Sequence, residues 1–212
     1  MTEQEQRALV LGVVASLLAV LTIRAFSRKT YSPSQLVRPE VAASLAASLP
    51  YGEDDFILSA LEWVNRNIEY RPISTDIVFQ DGKVACRDCL LPTDTLRTRR
   101  ANCVGSSLLL TSILRNRLPP DRVYSAFGEV NTDSVGGHAW NLVLRTGDWY
   151  LLDPTNRAML GKWIKADHPI YTGEVYLNDK GFYCEPGTSV RICAGRSACF
   201  GGLDKPALFV YD

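Results

Sequence analysis

Three residues of types suited to covalent catalysis lie at the borders of apolar segments: Cys103, His138 and Asp153. Cys103 opens a long apolar helix, where unpaired backbone N–H groups and the helix dipole stabilise a thiolate. A nearby histidine would accept the thiol proton, and a carboxylate on its other ring nitrogen would fix its tautomer and orientation. The three residues therefore predict acyl transfer through a thioester intermediate.

The segments that carry His138 and Asp153 could bring their side chains together. His138 opens the strand-like segment HAWNLVLR, Asp153 closes WYLLD, and the turn-forming residues TGD separate the two. A hairpin turning at residues 146–148 would place positions 138 and 153 roughly opposite each other on adjacent strands. The backbone N–H of Cys103, with a second donor from the preceding loop, would form the oxyanion site.

The surrounding elements predict an α+β domain with a central helix packed on an antiparallel sheet. The central helix begins at Cys103, is apolar from Leu108 onward, and is stopped by Pro119 and Pro120. The side chains of its first turn are unusually small: Gly105, Ser106 and Ser107. A second amphipathic helix has an apolar stripe formed by Ile57, Leu61, Val64 and Ile68. Strands follow the helices, including a hairpin near residues 178–181.

Three segments together resemble the motif blocks of the transglutaminase-like superfamily. They are PTDTLRTRRANCVGSSLLLTSILR, GGHAWNLVL and WYLLDPT, and they occur in the order and approximate spacing of that family. The resemblance implies that Cys103 is the nucleophile, His138 the general base and acid, and Asp153 the orienting carboxylate. It also implies a papain-like α+β core, which agrees with the fold predicted from the elements.

Several functions fit these residues. The leading hypothesis is a thiol enzyme that forms an acyl-enzyme at Cys103 on a protein or peptide substrate and transfers the acyl group to water or an amine, with hydrolysis favoured. An arylamine-type acetyltransferase also orders its triad Cys, His, Asp, but its cysteine motif opens with Arg-Gly-Gly, where this chain has RRANC. An inert site in a scaffold subunit of a membrane-associated assembly is the non-enzymatic alternative.

The composition indicates one main globular domain and argues against a nucleic-acid partner. The chain has 212 residues, 46% of them hydrophobic, and its 23 Lys and Arg balance 23 Asp and Glu. A zero net charge offers no basic excess for phosphate backbones. We expect neither a cofactor nor a metal ion at the thiol site.

The N-terminal segment predicts a membrane anchor. Residues 8–23 contain no charge, and residues 8–26 as a helix would nearly match a hydrocarbon core of about 30 Å. A signal peptide and a buried apolar helix are the alternatives. We therefore predict an anchor over 1–28, a linker over 29–38 and a transglutaminase-like domain over 39–212. Arg24, Arg28 and Lys29 favour a cytoplasmic domain by the positive-inside rule.

Five further cysteines leave two alternatives open. They could bind zinc or form one or two disulfides, and they are Cys86, Cys89, Cys184, Cys193 and Cys199. Zinc requires a second close pair, which the later spacings do not supply. Disulfides require an oxidising compartment, which conflicts with the charge pattern that favours the cytoplasm. The remaining histidine, His168, is predicted to be exposed and without a role.

Overall fold

The structure, a computed structural model, describes residues 28–131, 135–184 and 190–194. The membrane helix predicted over residues 8–26 lies outside these ranges, and so does Cys199. Among the described residues, no helix combines the length and the apolar character needed to cross a bilayer.

Helices flank and underlie a large sheet. The α-helices in the described part of the chain are α1 (Pro33–Leu36), α2 (Ala43–Ser48), α3 (Glu53–Asn67), α4 (Pro92–Thr98) and α5 (Cys103–Leu114). Short 3₁₀ helices span Pro39–Ala42, Pro120–Arg122 and Arg157–Met159. The strands are β1 (Lys29–Tyr31), β2 (Glu69–Tyr70), β3 (Thr75–Gln80), β4 (Lys83–Arg87), β5 (Arg100–Ala101), β6 (Val123–Asn131), β7 (Val135–Arg145), β8 (Asp148–Leu152), β9 (Ile164–Lys165), β10 (Tyr171–Leu177), β11 (Phe182–Tyr183) and β12 (Val190–Ala194).

Ten strands form one sheet in the order β1-β4-β3-β12-β7-β6-β10-β11, with β8 on β7 and β9 on β8. β12 meets β7 in parallel at Ala194 and Gly137, whereas β8 pairs with the later part of β7 in antiparallel register. The other described pairs of this sheet are antiparallel. The hairpin predicted near residues 178–181 is confirmed by β10 and β11. β2 and β5 form a separate parallel pair just before Cys103.

The central helix α5 is buried along its whole length, as its apolar sequence predicts. Its first half packs against strand residues such as Phe127, and its second half packs against α3. Polar contacts fix its register on the sheet: Ser107 Oγ donates to the Trp140 carbonyl at 2.7 Å. Asn141 Nδ2 donates to Thr111 Oγ1 at 2.7 Å. The predicted α+β fold, a cysteine-bearing helix on a mainly antiparallel sheet, is therefore confirmed.

The linker predicted over residues 29–38 is wrong, because this segment is part of the folded domain. β1 pairs with β4, and Leu36 and Val37 are completely buried. Ser32 and Pro33 start α1 rather than a loop, and the Ser32 N–H donates to Gln35 Oε1 at 2.8 Å. The domain therefore begins before the predicted boundary at residue 39.

Candidate active site

Cys103 is the first residue of α5 and is 1% exposed. The residue before it, Asn102, caps the helix by accepting the Gly105 N–H on its Oδ1 at 3.1 Å. Asn102 Nδ2 donates to the Ile73 carbonyl at 2.7 Å and to Thr75 Oγ1 at 2.6 Å. One buried amide thus ties the helix end that carries the thiol to the start of β3.

The small first turn of α5 makes room for the loop after β4. A Cβ on Gly105 would lie 3.0 Å from the Ala101 Cβ and 3.1 Å from the Leu90 Cβ. Leu90 directly follows a disulfide between Cys86 and Cys89, whose Cα atoms are 5.9 Å apart. Glycine at position 105 therefore lets this cross-linked loop contact the helix turn that begins with the nucleophile candidate.

His138 and Asp153 are diagonal neighbours on paired strands. Asn141 pairs with Leu152, the last residue of β8, and Asp153 follows immediately. The sequence predicts Asp153 roughly opposite His138. In the structure Asp153 lies diagonally across from His138, offset along the hairpin. His138 Nε2 and Asp153 Oδ2 are 2.8 Å apart, so the two side chains meet as the sequence predicts.

The Asp153 carboxylate is 2% exposed and accepts hydrogen bonds on both oxygens. Oδ1 accepts the Thr155 N–H at 2.9 Å and the Thr155 hydroxyl at 2.8 Å. Oδ2 accepts the Tyr171 hydroxyl at 2.8 Å in addition to His138 Nε2. Because a buried charge is costly without partners, these donors are what allow an ionised Asp153 at this position.

The protonation of the site follows from burial and from these hydrogen bonds. Burial alone lowers the pKa of His138, but hydrogen bonds with Asp153 and Cys103 and their negative charges outweigh it and raise the pKa to about 10. Burial alone raises the pKa of Asp153, but hydrogen bonds from His138 and Thr155 bring it below its usual value. His138 is therefore an imidazolium at neutral pH, with Nε2 on the carboxylate.

An aromatic cluster surrounds the histidine–carboxylate pair. Trp140 stacks near the His138 ring with centroids 6.2 Å apart, and Tyr171 meets Trp140 edge-on at 5.2 Å. The second histidine, His168, packs edge-on against Tyr171 at 5.8 Å and is half-buried. The prediction that His168 is exposed is therefore wrong, because the segment before β10 folds back onto the Tyr171 ring.

A cleft of about 500 Å³ opens beside these residues and is called the basic cleft below. Ser106, one turn after Cys103, and Thr155, the residue that bonds Asp153, both line it. Tyr70 lines it too; burial raises the pKa of Tyr70, and the nearby charges of Cys103 and Asp153 raise it further. The cleft therefore adjoins the thiol and the carboxylate.

Sequence reasoning missed the residues that support the three candidates. Asn102 could have been found as a helix-capping residue directly before the apolar helix. Thr155 could have been found because Asp153 begins a turn in which its carboxylate accepts a backbone N–H two residues on. No local pattern identifies Tyr171, which reaches the site only through the pairing of β10 with β6.

The other thiols whose side chains the structure describes do not join the three candidates. Cys86 and Cys89 form a disulfide, so this pair takes the disulfide alternative rather than the zinc alternative. Cys184 is a free, half-buried thiol on the β11 side of the sheet. Within the ranges that the structure describes, His, Cys, Asp and Glu form no group of three or more that could hold a metal ion.

The chain belongs to the transglutaminase-like superfamily. The model of this family matches residues 40–154, more than half of the chain, and the match includes all three candidate residues. The resemblance predicted from the motifs is therefore confirmed at the level of the family. The catalytic roles of Cys103, His138 and Asp153 stay predictions.

Individual relatives share less of their length with this chain. It is 30% identical to the human kyphoscoliosis peptidase over 122 residues, which are 54% of the chain and 17% of the relative. It is 28% identical to the Mus musculus protein of the same name over 145 residues, 64% of the chain and 21% of the relative. The chain thus spans about a fifth of the length of these curated relatives.

Among solved structures, the chain is similar to LapG of Legionella pneumophila in its EGTA-treated form. The TM-score is 0.48 at 16% identity, and the match covers 74% of this chain and 90% of LapG.

Proposed function

We propose that this protein is a cysteine peptidase or amidase that forms an acyl-enzyme at Cys103. The observation that carries the proposal is the position of His138, which hydrogen-bonds Asp153 at 2.8 Å and lies close enough to Cys103 for the thiol to contribute to its raised pKa. A thiol at a helix start, a nearby histidine of raised pKa and a fully hydrogen-bonded carboxylate are the parts from which an activated thiol nucleophile is built. A purely structural site gains nothing from this alignment.

The reaction follows from the same contacts. The Cys103 thiolate attacks the carbonyl carbon of an amide, and the backbone N–H of Cys103 stabilises the developing oxyanion. The C–N bond then breaks as the His138 imidazolium donates its proton to the leaving amine, which leaves a thioester and a neutral imidazole. His138 next removes a proton from water, and the resulting hydroxide attacks the thioester carbonyl. The C–S bond breaks, which releases the acid product and restores the Cys103 thiolate beside the His138 imidazolium.

Hydrolysis and transfer to an amine differ only in the second nucleophile. The peptidase name of the curated relatives supports water as the second nucleophile. A peptide is the substrate we favour, because the basic cleft next to the candidate site is lined by residues of several separate segments. Incorporation of a primary amine is the alternative outcome of the test below.

The test is cleavage of a complex peptide mixture by the purified chain, followed by mass spectrometry of new termini. New termini are expected with the unaltered chain and not with Cys103→Ala, because the thioester cannot form without the thiol. A fluorescent primary amine added to the same reaction separates the two routes: attachment to peptides indicates transfer. Cys184→Ala is the matched control and keeps full activity. Equal products from the unaltered chain and Cys103→Ala would overturn the proposal.

The membrane tether is a separate proposal that is supported by the uncharged sequence of residues 8–23. Expressed with this segment, the chain is expected to sediment with membranes and to resist extraction with alkaline carbonate. A chain that starts at residue 28 is expected in the supernatant. If both forms fractionate alike, the segment is not an anchor.

A further inference from the structure

The basic cleft is built from segments that converge on the candidate active site. The C-terminal end of α3, the β2–β5 pair and the residues after Asp153 form its walls. Asn65 Nδ2 donates to the Pro154 carbonyl at 2.9 Å, which joins the α3 wall to the wall that follows the carboxylate. A ligand lying in this cleft would therefore lie between fixed elements that also carry the candidate active site.

Arginine dominates the charge of this cleft. The charged residues that line it are Arg66, Arg99, Arg100, Arg157 and Glu69. The whole chain has equal numbers of basic and acidic residues, 23 of each, so this excess is a local property and not a reflection of the composition. At physiological ionic strength, charges act over a Debye length of about 8 Å, so an excess this local acts mainly on a ligand in the cleft.

Two of these arginines already have acidic partners. Arg100 Nε lies 3.1 Å from Glu69 Oε2, and Arg66 Nη2 lies 2.6 Å from Glu62 Oε1 within α3. Both pairs are well exposed, so they are weakly held and can exchange partners. Neither arginine on its own points to a ligand.

The other two arginines, Arg99 and Arg157, have no acidic partner among the described residues and could bind a carboxylate of a ligand. Arg157 makes no side-chain hydrogen bond or ion pair with any residue in the described part of the chain, although it follows Asp153 closely in sequence. Arg99 contacts the Trp63 ring, with its guanidinium carbon 4.7 Å from the ring centroid, and has no carboxylate partner among the described residues. Stacking on the ring orients this guanidinium while leaving its N–H donors free.

We propose that the basic cleft binds an acidic stretch of the polypeptide substrate, with Asp or Glu side chains on Arg99 and Arg157. This inference rests on the proposed function, because a polypeptide bound in the cleft is a substrate only if Cys103 cleaves it. Guanidinium groups bind carboxylates through two parallel hydrogen bonds, and these arginines come from different segments of the chain. Two arginines on separate segments can each bind a different carboxylate of one extended peptide.

The test measures binding without catalysis, on the full chain carrying Cys103→Ala. Two fluorescein-labelled octapeptides are compared by anisotropy, one of alternating Glu and Ala and one of alternating Gln and Ala. The acidic peptide is expected to bind about tenfold more tightly at low salt, and this preference should shrink in 0.5 M NaCl because exposed charge pairs are screened. Arg99→Gln combined with Arg157→Gln should weaken binding of the acidic peptide about three- to tenfold and leave the other peptide unchanged.

The matched control changes two exposed cations outside the cleft, Arg97→Gln and Lys83→Gln, and should leave both affinities unchanged. If the double variant has a lowered melting temperature, the binding test is made with the single variant Arg157→Gln, since the Arg157 side chain supports no described contact. Equal affinity for the two peptides, undetectable binding of the acidic one, or equal loss in the control would overturn the inference. Failure of the chain with Cys103 intact to cleave peptides would count against the proposed function and would leave the binding result standing.

Discussion

The two halves of the candidate site are held by different forces. On the thiol side, Cys103 is fixed by a fully buried apolar helix and by the Asn102 cap at its start. On the carboxylate side, Asp153 lies just past a strand end and is fixed by donors from His138, Thr155 and Tyr171. The first half depends on packing and the second on a polar network.

This difference separates the effects that substitutions should have. A change on the carboxylate side acts on the protonation and orientation of His138, because the network bonds the charge directly. A change on the thiol side acts on the position of the sulfur, because the helix start carries it. The chemical step and the stability of the fold are therefore expected to respond differently to changes in the two halves.

The largest effect is expected for Asp153→Asn. The asparagine amide lacks the negative charge that stabilises the protonated His138 ring. Its NH₂ group can donate to Nε2, which favours the neutral tautomer with the proton on Nδ1. We expect kcat for peptide cleavage to fall on the order of 10⁴-fold, while the fold is kept. Cleavage rates and circular dichroism of the two proteins check this. A loss below tenfold would mean that the carboxylate side does not act on the chemistry.

The next effect concerns the thiol side, where Asn102→Ala can be compared with Asn116→Ala at the other end of the same helix. Asn116 Nδ2 donates to the Pro39 and Ser112 carbonyls at 2.9 Å, so both variants lose amide contacts. Each is expected to lower the free energy of unfolding by about 1–2 kcal/mol. Only Asn102→Ala should also reduce kcat/KM, by about 10- to 100-fold, because it shifts the sulfur.

Urea denaturation and steady-state kinetics on both asparagine variants decide this comparison. If the two variants lose activity equally, the helix start has no special role in placing Cys103.

A smaller effect is expected for Tyr171→Phe, which removes one donor from the carboxylate network and keeps the ring against Trp140. Loss of a hydrogen bond to a buried charge should cost about 1.5–3 kcal/mol of stability. The cleavage rate should fall only severalfold, since the other donors remain. Thermal melting measures the stability and steady-state kinetics measure the cleavage rate. Tyr51→Phe is the control, because the Tyr51 side chain is 94% exposed. Unchanged melting in Tyr171→Phe would show that this hydroxyl does not support Asp153.

The last prediction concerns the pH dependence of the carboxylate side. The pKa of His138 is raised to about 10, above its ordinary value, so the imidazolium stabilises the fold fully below about pH 6.5 and this contribution is lost as pH rises through about 10. Peptide cleavage should fall over the same alkaline range, as the proton for the leaving amine is lost. Nitrogen NMR of labelled histidine follows the titration directly. A midpoint near 6.5 for His138 would contradict the account.

The sequence predicts the three candidate residues better than the parts of the site that come together from distant segments, for a physical reason. The helix start, the strand pair and the order of Cys103, His138 and Asp153 are local patterns that periodicity and motifs reveal. The position of Tyr171 and the formation of the basic cleft depend on contacts between segments that are distant in the chain. The spacing of residues along the sequence does not reveal such contacts. The wrong linker over residues 29–38 has the same origin, since prolines and serines can start a helix as well as end one.

The measurement that tests the central claim most directly is the alkylation rate of Cys103 compared with that of Cys184, by mass spectrometry with iodoacetamide near neutral pH. Cys103 is 1% exposed, and Cys184 is the more accessible free thiol. If His138 holds Cys103 as a thiolate, Cys103 is alkylated first despite its burial, and His138→Ala abolishes this preference. If alkylation follows exposure, with Cys184 first in both proteins, Cys103 is not an activated nucleophile.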